Sequence, residues 1–491
     1  MSTRRTILKS ALATGTVVAF SGTIGGLRAL ADPGVPVRRS LLGMADDDPD
    51  LTTYREFVRI LLAADQSRPV SWLGYSLLHG QYKGPYRYCP HGDWYFLPWH
   101  RGYVAMYEQA ARELTGNQKF AMPYWDWTRQ RELPSAFTLP TYKGRPNPLY
   151  VANRTLTGAN WPLRDDIVGP DVMNAIYMET DFQRFGTSKN PHQYDLNMGW
   201  VVAGGGVQGT LEANPHNNIH NFIGGFMPTA GSPRDPIFMM HHSNIDRIWA
   251  HWNALGRDNT AGMSPTDRDL WLKMVFADNF LRPDGAPYSA RVGDLQNTIA
   301  LGYTYDNLPS ADGRLADPQR SRRLAAAFAF GTSASDQNFG ALADANRDAA
   351  TPTKPLEKAV RLSPTQRDRL VSETATATEG SEVFALLRDI DHSPGVEGLR
   401  VFVSTGESAS DATDGESLQV TQVGFLEHGK HSDHKGAPSI LVELTPALRG
   451  LSAKGISVGD TITVKIAPVL RAGVSPDGQK AVPASVEIIV L

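Results

Sequence analysis

Of the thirteen histidines in this 491-residue chain, eight fall in one stretch: His79, His91, His100, His192, His216, His220, His241 and His242. Imidazoles gathered this way are either hydrogen-bonded one by one in a core or turned together toward a shared ion. The cysteine content narrows what that ion site can be. A single cysteine, Cys89, excludes an intrachain disulfide, a zinc ribbon and an iron–sulfur cluster held by thiolates, each of which needs several cysteines. A formal net charge of −3 implies no basic face, so nucleic acid is not an expected partner. The length predicts a large folded unit plus a smaller one.

Local patterns place the histidines on helices. Downstream of His100, the residues Val104, Tyr107, Ala111 and Leu114 repeat at helical spacing, so His100 is expected on a buried stripe. In PHNNIH, His216 and His220 are four apart and would stack on one helix face within reach of one ion. Pro215 suits the first helical position there, and Gly224-Gly225 ends the turn. In SPRDPIFMMHHSNIDRIWAHW, Asp235 is the expected cap and Pro236 the first helical residue. Phe238, His242, Ile245, Trp249 and Trp252 then form an apolar stripe, and Ile237, His241, Asn244, Ile248 and His251 a more polar one. Periodicity therefore nominates His242 over His241 as the inward residue. The two resulting sets of three, one from each half of the stretch, contain no carboxylate. That favours copper over calcium, magnesium or a facial-triad iron. Zinc stays open, because three histidines and a water also make a catalytic zinc set. Taken singly, a histidine is more often a satisfied core residue; it is the arrangement of six as two triples that favours the metal.

The rest of the chain divides by composition. Arg4 and Arg5, a mildly apolar stretch and the ending Ala29-Leu30-Ala31 read as a twin-arginine signal over residues 1–31, cut after Ala31. That predicts export to the periplasm or the medium, with no stable membrane association. Residues 32–330, rich in Trp, Tyr, Pro and His, are expected to be mainly α with long loops. Residues 331–382 read as a linker, being dominated by Ala, Ser, Thr, Asp and Lys. Residues 383–491 carry LRVFVST, LQVTQVGF, SILVELT, TITVKIAPVL and ASVEIIVL at strand period and predict a small C-terminal antiparallel β-sandwich. Within it, His428, His431 and His434 form either a solvated loop or a transient metal-loading tract. The GGGVQG run at Gly204 to Gly209 leads into PHNNIH and not into a crossover helix, so it predicts no dinucleotide site.

The stretch CPHGDWYFLPWHRGYVAMYE resembles the first metal motif of the type-3 copper proteins, the tyrosinases, catechol oxidases and molluscan haemocyanins. PHNNIHNFIG with RDPIFMMHHSNIDRIW resembles the second, and MPYWDW at Met122 to Trp127 is also similar to a stretch of that family. The resemblance covers roughly Asp50 to Trp252 and implies a four-helix-bundle dicopper domain. It places His79, His91 and His100 on one copper ion and His216, His220 and His242 on the other, with O2 as co-substrate. It implies phenolic partners and tyrosinase activity: ortho-hydroxylation of tyrosine-like monophenols and oxidation of o-diphenols to o-quinones, leading to melanin-type pigments. Glu212 and Asn217 match the pair that holds a water to take the phenol's proton; Glu212 could instead be a helix-start charge. Thr229 stands where plant relatives carry a Phe gate. Cys89 matches a cysteine that forms a thioether to the histidine two residues on, here His91, as in fungal tyrosinases and molluscan haemocyanins; plant relatives use a different histidine and also carry disulfides. Phe96 and Phe238, each four residues before a ligand, would wall the pocket. The tail resembles the cover domain of long, plant-like polyphenol oxidases, with Phe425 or Leu426 as a plug. A catechol oxidase without monophenol activity, a haemocyanin-like O2 carrier and a zinc hydrolase are the alternatives, and the oligomeric state is not legible.

Overall fold

A computed structural model describes residues 35–154, 162–189, 206–308, 348–362, 364, 383–405, 417–426, 437–456 and 459–490. The predicted signal, much of the predicted linker, and His428, His431 and His434 lie outside these residues.

The large unit is a helical core in which helices α1 (Pro49–Ala63), α2 (Trp72–His79), α3 (Phe96–Thr115), α4 (Asn217–Ile223) and α5 (Ile237–Ala254) position the histidines. Their ends follow ordinary capping chemistry. Asp48 accepts the N–H of Asp50 ahead of α1, Ser71 Oγ accepts the N–H of Gly74 at 2.9 Å ahead of α2, and α3 stops at Gly116, whose φ of 77° suits glycine. The predicted stripes of α3 and α5 are buried: Val104, Tyr107 and Ala111 on one, Phe238, Ile245, Trp249 and Trp252 on the other. Ile237, His241, Asn244 and Ile248 are buried as well, so α5 is enclosed on both stripes and periodicity alone does not separate His241 from His242.

Two helix starts differ from expectation. Helix α5 begins at Ile237, one residue later than predicted, with Asp235 Oδ1 accepting the Ile237 N–H at 3.1 Å while Arg154 pairs with the same carboxylate. The segment around Pro215 is already wound before the proline: Glu212–His216 forms a π-turn that runs straight into α4. A proline inside a helix cannot donate the usual backbone bond, and a wider turn accommodates the missing donor.

Helices α3 and α5 are tied by buried charge close to their histidines. Arg38, on a two-residue strand Val37–Arg38 paired with Thr304–Tyr305, bonds Glu108 of α3 at 2.8 Å and Asp246 of α5 at 3.1 Å. Arg101, next to His100, meets Asp246 at 2.5 Å, and the hydroxyls of Tyr303 and Tyr305 each donate to Asp246 at 2.6 Å. Burial alone would raise the Asp246 carboxyl, but Arg101 and Arg38 hold it below its usual range.

The small unit is the predicted sandwich, built on strands β1 (Val207–Gln208), β2 (Leu356–Arg361), β3 (Val383–Arg388), β4 (Val396–Thr405), β5 (Ser417–Gly424), β6 (Ser439–Glu443), β7 (Thr461–Leu470) and β8 (Ser485–Val490). One sheet has the order β5-β4-β7-β2 and the other β8-β3-β6-β1, every pair antiparallel except β6–β1. Val360, Leu387, Val401, Val442, Ile462, Val464, Ile466 and Ile488 share one buried core between the sheets.

Two features depart from the predicted boundaries. Strand β2 lies inside residues 331–382, the expected linker, because Leu356 and Val360 contribute to the sandwich core. Strand β1 comes from the large unit just ahead of His216, and pairs Val207 with Ser439 and Gln208 with Ile440. The two units therefore share a sheet. Among the described residues, no helix is long and apolar enough to cross a membrane.

Candidate metal centre

His79 closes α2, His91 lies in the loop before α3, and His100 sits in the second turn of α3. Their ligand atoms, together with Cys89 Sγ, all lie within 4.8 Å of one another. A second group meeting the same limit contains His216, His220, His241 and His242, and both groups are buried. The groups face each other: the rings of His100 and His242 stack at 4.3 Å, and those of His91 and His216 are 5.5 Å apart.

The hydrogen bonds around the rings determine which nitrogen points inward. Nδ1 of His79 meets Ala230 O at 2.6 Å, Nδ1 of His100 meets Phe96 O at 2.8 Å, and Nδ1 of His220 meets Met227 O at 2.6 Å. A carbonyl only accepts, so Nδ1 donates and Nε2 keeps its lone pair. His216 follows the same rule with a side chain, its Nδ1 lying 2.8 Å from Asn217 Oδ1. Nε2 of His79 and of His216 are buried with no hydrogen-bond partner, and Nε2 of His220 and His242 converge to 3.3 Å. Buried lone pairs aimed at one another are costly unless something electropositive sits between them. Burial pushes the His79 imidazole down to about 3 and His220 to about 4, and holds His100, His216 and His242 well below the usual range, so all are neutral at physiological pH, the form that can bind a metal. Two all-imidazole sets of this kind fit two copper ions.

The other predicted residues fall around the two groups. Phe96 lies 4.8 Å from His100 and 4.7 Å from His216, and Phe238 lies 4.1 Å from His242 and 5.2 Å from His79, ring centre to ring centre. Cys89 Sγ is 3.4 Å from Nδ1 and 3.9 Å from Nε2 of His91, and 3.2 Å from His100 Nε2. Burial pushes this thiol well above its usual range, which disfavours the thiolate a metal would need. Thr229 is buried, with its hydroxyl donating to Phe226 O at 2.8 Å. Glu212 accepts the Gly92 N–H at 2.8 Å and the Thr187 hydroxyl; burial pushes its carboxyl up to about 8, and a bound cation nearby would act in the opposite direction. Asn217 donates to Gln208 Oε1 at 3.1 Å and to Gly424 O at 2.8 Å. Phe425 packs in the sandwich core with its ring stacked on His392 at 4.4 Å, and Leu426 is buried beside it.

Several contributors escape a reading of the sequence. His241 joins the second group, its ring 5.0 Å from His220 and both its nitrogens buried without a partner. One loop, from Gly224 to Gly231, supplies the carbonyls of Met227 and Ala230 and so braces a histidine of each group. Its glycines are a visible signal; which carbonyl turns inward is not.

Comparison with known proteins gives a family and a fold. Residues 69–255 match the common central domain of tyrosinase. The chain is 30% identical to a tyrosinase of Hahella sp. (strain CCB-MM4) over 315 residues, 55% of this chain and 62% of that protein. It is 28% identical to a chloroplastic polyphenol oxidase of Vitis vinifera over 311 residues, 57% of this chain and 49% of that one. The match thus spans less than two thirds of either relative. Among solved structures, a latent aurone synthase (polyphenol oxidase) aligns with a TM-score of 0.63 at 17% identity, covering 95% of this chain and 92% of that one. A latent apple tyrosinase aligns at 0.58 and 19% identity, covering 93% and 97%. At such identities these two likenesses describe the fold, sandwich included.

Proposed function

Because the chain belongs to the type-3 copper family of tyrosinases and polyphenol oxidases, we propose that it is a tyrosinase, hydroxylating monophenols at the ortho position and oxidising o-diphenols to o-quinones. The observation that carries this reading is the pair of buried, carboxylate-free histidine groups facing each other with lone pairs turned inward. His79, His91 and His100 would hold one copper and His216, His220 and His242 the other. When bound, the two coppers would supply the activation of O2. The protein's own residues do the rest. Main-chain carbonyls fix the rings of His79, His100 and His220, and Phe96 and Phe238 keep water from the space the rings enclose. Glu212 and Asn217 would hold the water that takes the phenol's proton, and Thr229 would leave the entrance open to larger phenols. Leu426 would plug the site from the sandwich, whereas Phe425, expected as the other plug residue, keeps its ring in the sandwich core against His392; the Arg4-Arg5 segment would direct export. Oxygen uptake by copper-loaded protein on tyrosine and on its ortho-hydroxylated product tests the assignment. Uptake on both supports a tyrosinase; uptake on the diphenol alone makes the protein a catechol oxidase.

A further inference from the structure

Asn214, Asn217, Asn218 and Asn221 fall at i, i+3, i+4 and i+7 along the π-turn and α4, interleaved with His216 and His220. All four amides reach the small unit. Asn214 donates to Thr421 Oγ1 at 2.7 Å, Asn217 to Gly424 O at 2.8 Å, Asn218 to Gln422 O at 2.8 Å, and Asn221 to Phe425 O at 3.0 Å and Glu397 O at 2.8 Å. The approach is close. A Cβ on Gly424 would stand 2.9 Å from the Asn217 carbonyl carbon and from the Asn218 amide nitrogen, so only glycine lets β5 lie there.

One of these asparagines also touches a histidine. His79, His100 and His220 tie Nδ1 to main-chain carbonyls of the large unit, which cannot swing away. His216 relies on Asn217 Oδ1, on a side chain free to rotate unless its amide is held. What holds it is Gly424 O on β5 and Gln208 Oε1 on β1, the strand paired with β6 of the sandwich. Gln208 is also braced within the large unit, where it bridges Thr187 and the Ser188 N–H donates to Val207 O at 2.9 Å, so Gly424 O is the anchor that docking of the small unit supplies.

We propose that the small unit, through the Gly424–Asn217 hydrogen bond, fixes the His216 ring and so tightens copper binding at the second histidine group. Removing the cover then loosens a ligand as well as uncovering the site. The inference rests on His216 being a copper ligand, and Asn217 acts in it as a positioning residue. Partners that orient a metal-bound histidine typically contribute about 10–100-fold in metal affinity.

The test is copper retention by the full chain against a graded chelator, for wild type, Gly424→Ala, Asn217→Ala, the double variant and Asn221→Ala. Gly424→Ala and Asn217→Ala are expected to lose one of two coppers at about 10–100-fold less chelator than wild type, and the double variant no earlier than Asn217→Ala alone, while Asn221→Ala, which spares the contact, retains both. If Gly424→Ala fails to fold its sandwich, seen as rapid proteolysis, Asn217→Ala decides. Wild-type retention of both coppers in Asn217→Ala overturns the inference. A wild type that never takes up two coppers overturns the dicopper reading beneath it.

Discussion

Cys89 Sγ lies near both nitrogens of the His91 ring, and the atom flanked by those nitrogens is Cε1. A thioether there replaces an S–H and a C–H bond by S–C, with two protons released and two electrons passed to O2. The expected result is an intact mass two hydrogens below the sequence mass in copper-loaded protein and no titratable thiol; a full-mass protein with a free thiol contradicts the bond. Cys89→Ser should retain the full mass. The histidines are legible at this scale because a four-residue spacing on a helix dictates a shared face. Periodicity passes over His241 because it compares the two sides of a helix, and α5 is buried on both.

At the scale of elements, the tie between α3 and α5 sets the spacing of the two histidine groups. Asp246 lies between Arg38 and Arg101, with Glu108 as the second acid on Arg38, and all four side chains are buried. Removing one partner of a buried ion pair costs about 3–5 kcal/mol, because the remaining charge is stranded. Asp246→Ala should therefore lower unfolding stability by about that amount, read from denaturant melts; a loss under about 1 kcal/mol would show that the network is not buried in solution. The helices themselves can be read from the sequence, but not this network, since Arg38, Arg101 and Asp246 meet only through the fold. The π-turn at Glu212–His216 is hidden for a related reason: Pro215 signals a helix start in isolation, and the structure places it one turn inside.

For the whole molecule, the sandwich is legible from strand alternation, whereas its reach into the large unit is not. Strand β2 is flanked by low-complexity sequence, and the two-residue β1 is too short for any periodicity to reveal. A cut within residues 365–382 would leave β2 attached to the large unit, while a cut within 309–347 would sever every sandwich strand but β1 from it. The latter should raise turnover of o-diphenols more; equal effects would argue against a cover that includes β2. Stability should also depend on pH. Burial pushes the Glu397 carboxyl up to about 7 against the opposing pull of Arg471. A raised carboxyl is stabilising in its neutral form, so stability falls as pH climbs from the unfolded value near 4.5 toward 7. Glu397→Gln should melt with wild type at pH 4 and above it at pH 8, by no more than about 3 kcal/mol; no difference at pH 8 would refute the penalty.

The binuclear copper assignment is tested most directly by oxygen uptake on an o-diphenol during stepwise copper loading of the metal-free chain. Uptake that stays near zero until the second copper binds and is greatest at two per chain is the predicted result. Full uptake at one copper per chain, or two bound zinc ions with no uptake at any copper loading, would contradict it.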